Sequence, residues 1–307
     1  MSILIALIPM VAWGSIGLVS GKLGGDANQQ TLGMTMGAFV FALVTFFIVQ
    51  PAMSGWILLI GFLSGFFWSI GQNGQFHGMK FMGVSVGLPI STGFQLILNT
   101  VAGAVFFHEW TKTKDFILGF IALALLVLGA YLTARKDDES GVQSDDRMLD
   151  FGKGFRSLIF STLGYGVYTI IITWAGLDPL AIILPQSVGM LVGASFFAFR
   201  KAKLDRYVWR NMASGLLWGI GNICMLLTVK EIGLAIGFSL SQMGIIISTL
   251  GGIFLLGERK TKKEMYYVII GCLLIIVGGV VLGSIISRTD RKSFYRSFLS
   301  MKKQNIQ

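Results

Sequence analysis

A chain of 307 residues that is 54% hydrophobic and 13% charged carries about half the charged fraction of a soluble domain, which runs near 25%. With a mean hydropathy of +0.73 it reads as an integral membrane protein, and its net charge of +10 is assigned to segments facing lipid headgroups, not to nucleic acid. Cys224 and Cys272 both fall inside apolar runs, which excludes a disulfide framework and predicts two small buried hydrophobes.

A membrane-crossing helix needs about 20 apolar residues to span roughly 30 Å of hydrocarbon. On that measure the sequence predicts about ten spans, near 3–21, 32–50, 55–74, 84–107, 116–134, 155–174, 180–199, 210–229, 234–256 and 266–286. The first lacks a basic leader and a small-residue cleavage site, so it reads as a span and not as a signal peptide. Most connections are short and turn-like, such as Gln50-Pro51 and Asp178-Pro179. The exception is the polar run 135–154, a solvated linker by composition. Beyond it the second group of spans ends in a basic tail, 287–307, expected at a membrane surface or without fixed structure.

The two groups are copies. Ser64-Gly65, Trp68, Ile70-Gly71, Lys80, Gly83, Gly87 and Ser91 return 150 residues later as Ser214-Gly215, Trp218, Ile220-Gly221, Lys230, Gly233, Gly237 and Ser241. After a slip of one residue, Thr100, Gly103 and Glu109 return as Thr249, Gly252 and Glu258, and in the second span Gln30, Gly33-Met34 and Gly37-Ala38 return 156 residues later as Gln186, Gly189-Met190 and Gly193-Ala194. Such self-similarity marks a duplicated unit. A unit with an odd number of crossings enters the membrane the second time from the opposite side. The expected fold is therefore all-α, with two inverted five-helix repeats, 1–134 and 155–286, related by a pseudo-two-fold axis in the membrane plane, as in secondary transporters. Glycines spaced by four, Gly33/Gly37, Gly61/Gly65, Gly83/Gly87, Gly189/Gly193, Gly215/Gly219 and Gly233/Gly237, predict smooth faces where helix backbones approach closely. Gly87-Leu88-Pro89 predicts a kink in the fourth span, a hinge or a static packing bend.

Polar residues inside the spans are almost all uncharged. Trp68, Gln72, Asn73 and Gln75 occupy the third span, and Ser91, Gln95 and Asn99 form an i, i+4, i+8 stripe on the fourth. The second group contributes Trp218, Asn222 and Gln242, and the first span Trp13. Carboxamides both donate and accept, which suits the hydroxyls of a neutral polyol, and indole faces suit the apolar C–H groups of a sugar ring. Amides that merely join helices are the competing reading. The candidate substrate site is Trp13, Trp68, Gln72, Asn73, Ser91, Gln95, Asn99, Trp218, Asn222 and Gln242. Trp56, Trp110, Trp174 and Trp209, at span ends, are expected to be interfacial anchors. Lys80 and Lys230 are expected to extend to the interface.

The fifteen acidic residues all avoid span centres. A carrier of organic cations generally needs a buried carboxylate, so cations are disfavoured as substrates. The residues available to couple protons are Glu109, Glu258, His77 and His108, for which an ordinary surface role at a helix end is the alternative. With two histidines and no cysteine cluster, no nucleophile–base pair or metal-ligand spacing can be assembled. The reading is a non-enzyme with no cofactor and no metal.

The run Met82-Gly83-Val84-Ser85 through Pro89-Ile90-Ser91-Thr92-Gly93-Phe94-Gln95-Leu96, followed by Phe107-His108-Glu109-Trp110, resembles the bacterial glucose/ribose porter family of the drug/metabolite transporter superfamily. Trp13-Gly14-Ser15, Gln30-Thr31-Leu32-Gly33 and Ser64-Gly65-Phe66-Phe67-Trp68 carry the same resemblance, which covers the chain to about Ser287. It implies ten helices, a multi-pass plasma-membrane location, and uptake of an unphosphorylated sugar, glucose first, with proton symport as the family's coupling. It assigns no binding residue. Facilitated diffusion of glucose, ribose or another carbohydrate fits the same residues, and so does an exporter of metabolites or drugs on the same fold. A sensor that transports nothing is a further alternative. Loop charges place both termini outside, whereas the basic tail and the resemblance place them in the cytoplasm.

Overall fold

The computed structural model describes residues 2–110, 112–135, 150–199 and 203–304. Most of the linker predicted at 135–154 lies outside the described residues. The chain forms α1 (Ser2–Leu23), α2 (Ala27–Val49), α3 (Gly55–Met82), α4 (Val84–Val101), α5 (Thr113–Ala134), α6 (Phe151–Ala175), α7 (Pro179–Ala198), α8 (Arg206–Ile232), α9 (Leu234–Ser241), α10 (Ile245–Leu255) and α11 (Lys262–Gln304). Among the described residues nine segments are long and apolar enough to cross a membrane, counting α9 and α10 as one crossing; α1 adds a shorter apolar stretch, Leu7–Leu23.

Helix lengths follow local chemistry. Asp26 caps α2 in a reciprocal box with Gln29, its carboxylate accepting from the Asn28 and Gln29 amides while Gln29 Oε1 accepts from the Asp26 amide, which satisfies donors a helix start leaves open. Asp150 and Asp205 cap α6 and α8 without the reciprocal bond, each accepting from one amide, of Lys153 and of Tyr207. At the other end, α3 and α8 run on until Gly83 and Gly233, which take positive φ. Both therefore outrun the expected spans, by about two turns for α3, and carry His77, Lys80 and Lys230 within helix. Lys80 is exposed, and Lys230 makes a loose, solvent-exposed pair with Asp178 at 3.9 Å. Beyond residue 287, where the sequence predicts a basic tail at a membrane surface or without fixed structure, α11 continues as helix to Gln304.

The bundle packs α3 against α6 and α7, α8 against α1 and α2, and α5 against α11. Glycine makes these approaches possible. Gly61 and Gly65 on α3 lie on Pro185 and Gln186 of α7, while Gly33 and Gly37 on α2 lie on the Val208 and Met212 carbonyls of α8. A Cβ at any of them would collide with the facing helix. Side chains such as Phe47, Ile48, Phe106, Phe196 and Phe254 are exposed on the outside. In water that apolar surface would be an aggregation liability; in lipid it is the expected exterior.

Two regions depart from regular helix. The end of α4 loosens into a π-turn, Ala102–Phe106, and the matching crossing in the second half is interrupted by a 3₁₀ turn, Gln242–Gly244, between α9 and α10. Pro89 lies inside an otherwise continuous α4. Trp56, Trp174 and Trp209 are exposed, as interfacial anchors require, but Trp110 is buried. It packs edge-on to Phe116 and Phe120 over the bare backbone of Gly119, a cleft that sequence position alone does not reveal. Both cysteines are free and half-buried.

Candidate functional site

A cavity of about 60 Å³ opens in the middle of the bundle, lined from α1 by Trp13, from α3 by Trp68, Gln72 and Gln75, from α4 by Thr92 and Gln95, from α6 by Tyr165 and Tyr168, from α8 by Trp218, and from the broken crossing by Phe238, Ser241 and Gln242. One ordered water needs roughly 10–15 Å³ of such space. There is room for several. No charged side chain lines it.

Helix geometry explains the assembly. Trp68, Gln72 and Gln75 recur at i, i+4 and i+7 and so share one face of α3, and that face meets α6. There the Tyr165 hydroxyl donates to Gln72 Oε1 at 2.7 Å and to Gln75 Oε1 at 3.3 Å. Gln75 and Gln95 both donate through Nε2 to the Ser91 hydroxyl, at 3.0 Å each. The Trp68 and Trp218 rings meet edge to face with centroids 5.0 Å apart, and Trp68 also abuts Tyr165 at 6.2 Å.

Two buried donors at this cavity are left over. Gln72 Nε2 and Trp13 Nε1 have no hydrogen-bond partner. A buried donor without a partner costs about 1–3 kcal/mol, so each needs water or a ligand oxygen. Because Tyr165 donates to the Gln72 oxygen, the orientation of the amide is fixed and its Nε2 is the group left without a partner.

The sequence candidates divide into three groups. Trp13, Trp68, Gln72, Gln95, Trp218 and Gln242 line the cavity. Ser91, Asn99 and Asn222 stand behind it: Asn99 donates to the Gln95 carbonyl and accepts from Thr169, and Asn222 accepts from Tyr168 at 2.6 Å and donates to Gln186 at 2.7 Å. Asn73 and His77 lie elsewhere, in a separate groove with Asn28, Ser157, Phe160 and Phe197. There Asn73 donates to Asn28 at 2.9 Å, and His77 Nδ1 is 2.9 Å from the Asn73 carbonyl.

Tyr165, Tyr168 and Gln186 were not singled out in the sequence, although Gln186 stood in the repeat as the copy of Gln30. The copies do different work, since Gln30 holds the carbonyls of Ser20, Gly24 and Gly25.

Glu109 and Glu258 sit at the two ends of the paired crossings, away from the cavity. His108 is exposed with φ 52°. Glu109 accepts from the Leu234 and Ala235 amides at 2.6 and 2.8 Å, and Glu258 from the Val84 and Ser85 amides at 2.8 and 3.0 Å. Burial pushes the Glu109 carboxyl above the ordinary glutamate range, against the opposing pull of those two amides.

A bundle of apolar helices around an uncharged amide- and indole-lined cavity defines a multi-pass plasma-membrane carrier. The chain belongs to the sugar transport protein family, whose model matches residues 4–285. It is 74% identical over 283 residues to an Enterococcus faecalis protein named "Putative sugar uptake protein", covering 92% of this chain and 99% of that one. A Lactococcus lactis protein named "Putative sugar uptake protein YxfA" is 51% identical over 293 residues, covering 93% and 99%. A crystal structure of another protein superposes with a TM-score of 0.65 over 92% of this chain and 98% of that one, at 15% identity, and so shares the fold.

Proposed function

We propose that this protein takes up a neutral, unphosphorylated sugar, glucose first and ribose as the nearest competitor, by alternating access between two inverted halves, 1–134 and 155–286. The observation that carries the substrate class is the cavity itself. A phosphate or carboxylate would require a cation, and an organic cation would require a carboxylate; the lining has neither. Amides, hydroxyls and two unpartnered donors match the oxygens of a polyol, and the Trp68–Trp218–Tyr165 wall gives its C–H face an apolar surface. Trp13, Trp68, Gln72, Gln95, Trp218 and Gln242 hold the sugar in this reading, with Ser91, Asn99 and Asn222 fixing the residues in front of them.

The inverted arrangement is supported by exchange between the halves. The end of α4 lies at the start of α9 and the end of α10 at the start of α4, so the two copied crossings run antiparallel. Proton symport is the proposed coupling, with Glu109 as its site, because a carboxyl held above its usual range exchanges protons nearer neutrality. Uptake of radiolabelled glucose into sealed proteoliposomes, with and without an inward proton gradient and with ribose as competitor, tests all three elements. Accumulation driven by the gradient supports symport. Equilibration alone makes the protein a facilitator, and no flux in folded protein overturns the sugar.

A further inference from the structure

We propose that Glu109 and Glu258 are the latches of the two gates, one at each end of the substrate cavity, and that transport proceeds by breaking them in alternation. The inference rests on the carrier reading above and adds the residues that hold each face shut.

The helix starts at α4 and α9 are built alike. Each follows its predecessor through one glycine, Gly83 at φ 81° and Gly233 at φ 85°, a conformation that a residue with a Cβ rarely adopts. The reversal needs no loop, but it leaves no side chain to cap the new helix. A helix start carries unsatisfied N–H groups and partial positive charge. At α9 the missing acceptor comes from Glu109, after the end of α4. At α4 it comes from Glu258, after the end of α10. Each carboxylate takes two successive amides of the other half.

The arms that present the carboxylates are also alike. Leu256 N–H reaches back to the Gly251 carbonyl as Phe107 N–H does to Ala102, and the amides of Glu109 and Glu258 donate to the carbonyls of Gly103 and Gly252, at 3.1 Å in both cases. A Cβ on Gly103 would strike the Ala235 amide and the Glu109 carboxylate, and one on Gly252 would press on Ser85 and the Glu258 carboxylate.

Position along the helices makes these contacts gates. Going along α4, the Glu258 contact at Val84 and Ser85 comes first, then the cavity residues Leu88, Thr92 and Gln95, then the other contact at Gly103. The partner crossing repeats the order from Leu234 through Phe238, Ser241 and Ile245 to Gly252. The cavity lies between the two carboxylates, and α4 and α9–α10 separate from one face only when the contact on that face is broken. Both contacts are made together in this structure.

The test reads sidedness and not uptake. In the full chain, with Cys224 and Cys272 replaced by serine and Thr92→Cys as a cavity reporter, labelling by a membrane-impermeant maleimide is compared between right-side-out and inverted vesicles, without sugar. Glu109→Gln and Glu258→Gln keep the shape but remove the charge and replace one of the two accepting oxygens by an NH2 donor, so that one amide loses its partner and the other bond is weakened. Each is expected to shift the labelling ratio about tenfold, in opposite directions, and the double variant to return towards the parent. If a glutamine variant fails to fold, Glu109→Asp or Glu258→Asp, one methylene short of its amides, enters the same assay. Ratios that move the same way, that stay put, or that rise on both faces at once overturn the latches. Opposite shifts in a protein that moves no glucose keep the latches and overturn the sugar.

Discussion

Trp68 and Trp218, copies of one another in the two halves, meet edge to face at 5.0 Å in the centre of the bundle, each 2% exposed. The pair serves as the wall of the cavity and as a contact between α3 and α8. Removing either ring wholly would cost about 3–5 kcal/mol as a core truncation, so loss of uptake in an alanine variant would report packing as much as recognition. Trp68→Phe is the informative change. It keeps an aromatic face and is expected to raise the glucose KM about fivefold to tenfold, with a monodisperse elution profile and a small drop in melting temperature; an unchanged KM would remove the ring from the sugar's path.

Tyr165 decides what Gln72 offers. While its hydroxyl donates to Gln72 Oε1, Gln72 Nε2 is left without a partner beside the cavity. An N–H reads an acceptor on the sugar. A fluorine in place of the contacted hydroxyl still accepts weakly, whereas hydrogen does not. A series of singly deoxygenated and singly fluorinated glucoses competing for uptake is therefore expected to show one or two positions where fluorine competes and hydrogen fails, by about tenfold. Tyr165→Phe frees the amide to turn over, and the difference between the two series is expected to collapse. Persistence of the full difference in that variant would separate Tyr165 from recognition.

Among the cavity-lining candidates, Trp68 and Gln72 were legible because helical spacing puts them one turn apart on one face of α3, and the repeat pointed from Trp68 to Trp218. Gln95 followed from the α4 stripe. The same logic overreached at Asn73, which is adjacent in sequence to Gln72 but about 100° round the helix and faces α2, where Asn28 holds it. Tyr165 and Tyr168 were illegible for a different reason. Tyrosine inside a span signals an interface as readily as a cavity, and only the packing of α6 on α3 distinguishes them. The Glu109 and Glu258 contacts could not be read at all, since the amides they cap are residues of the other half more than a hundred positions away.

The separation of Asn73 on α3 from the cavity gives a contrast with Gln95 on α4. Gln95→Ala removes an amide from the cavity wall and its bond to Ser91, and is expected to raise the KM about tenfold. Asn73→Ala touches the outer groove alone, and its KM is expected to stay within about twofold of the parent, with a lower melting temperature from the lost bond to Asn28. Equal KM effects from both would reunite the groove with the transport path.

Close backbone contact between α3 and α7 makes one stability prediction sharp. Gly65 lies against the Gln186 carbonyl and the Met190 amide, and both neighbours are backbone atoms that cannot turn aside. Gly65→Ala is expected to destabilise the protein by about 1–3 kcal/mol, as overpacking does, despite the better helix propensity of alanine. Gly55, at the start of the same helix with nothing near its would-be Cβ, is the control, and Gly55→Ala should leave the melting temperature unchanged. A neutral Gly65→Ala would show that the helices part easily along this seam.

Glu109 supplies the pH prediction, and its sign follows from its surroundings. Burial raises its pKa, so the carboxyl takes up a proton at higher pH than an ordinary glutamate near 4.3. Protonation removes the charge that strengthens its bonds to the Leu234 and Ala235 amides. Acidifying the face that Glu109 occupies should therefore favour opening on that face, while neutral pH favours closure. Counterflow of labelled glucose in proteoliposomes measures this without a driving gradient: the rate is expected to change with the pH on one side of the membrane in the parent protein and to lose that one-sided response in Glu109→Gln, which cannot titrate. If the variant keeps the parent's one-sided profile, another group carries the proton, and Glu109 holds the helices together without sensing pH.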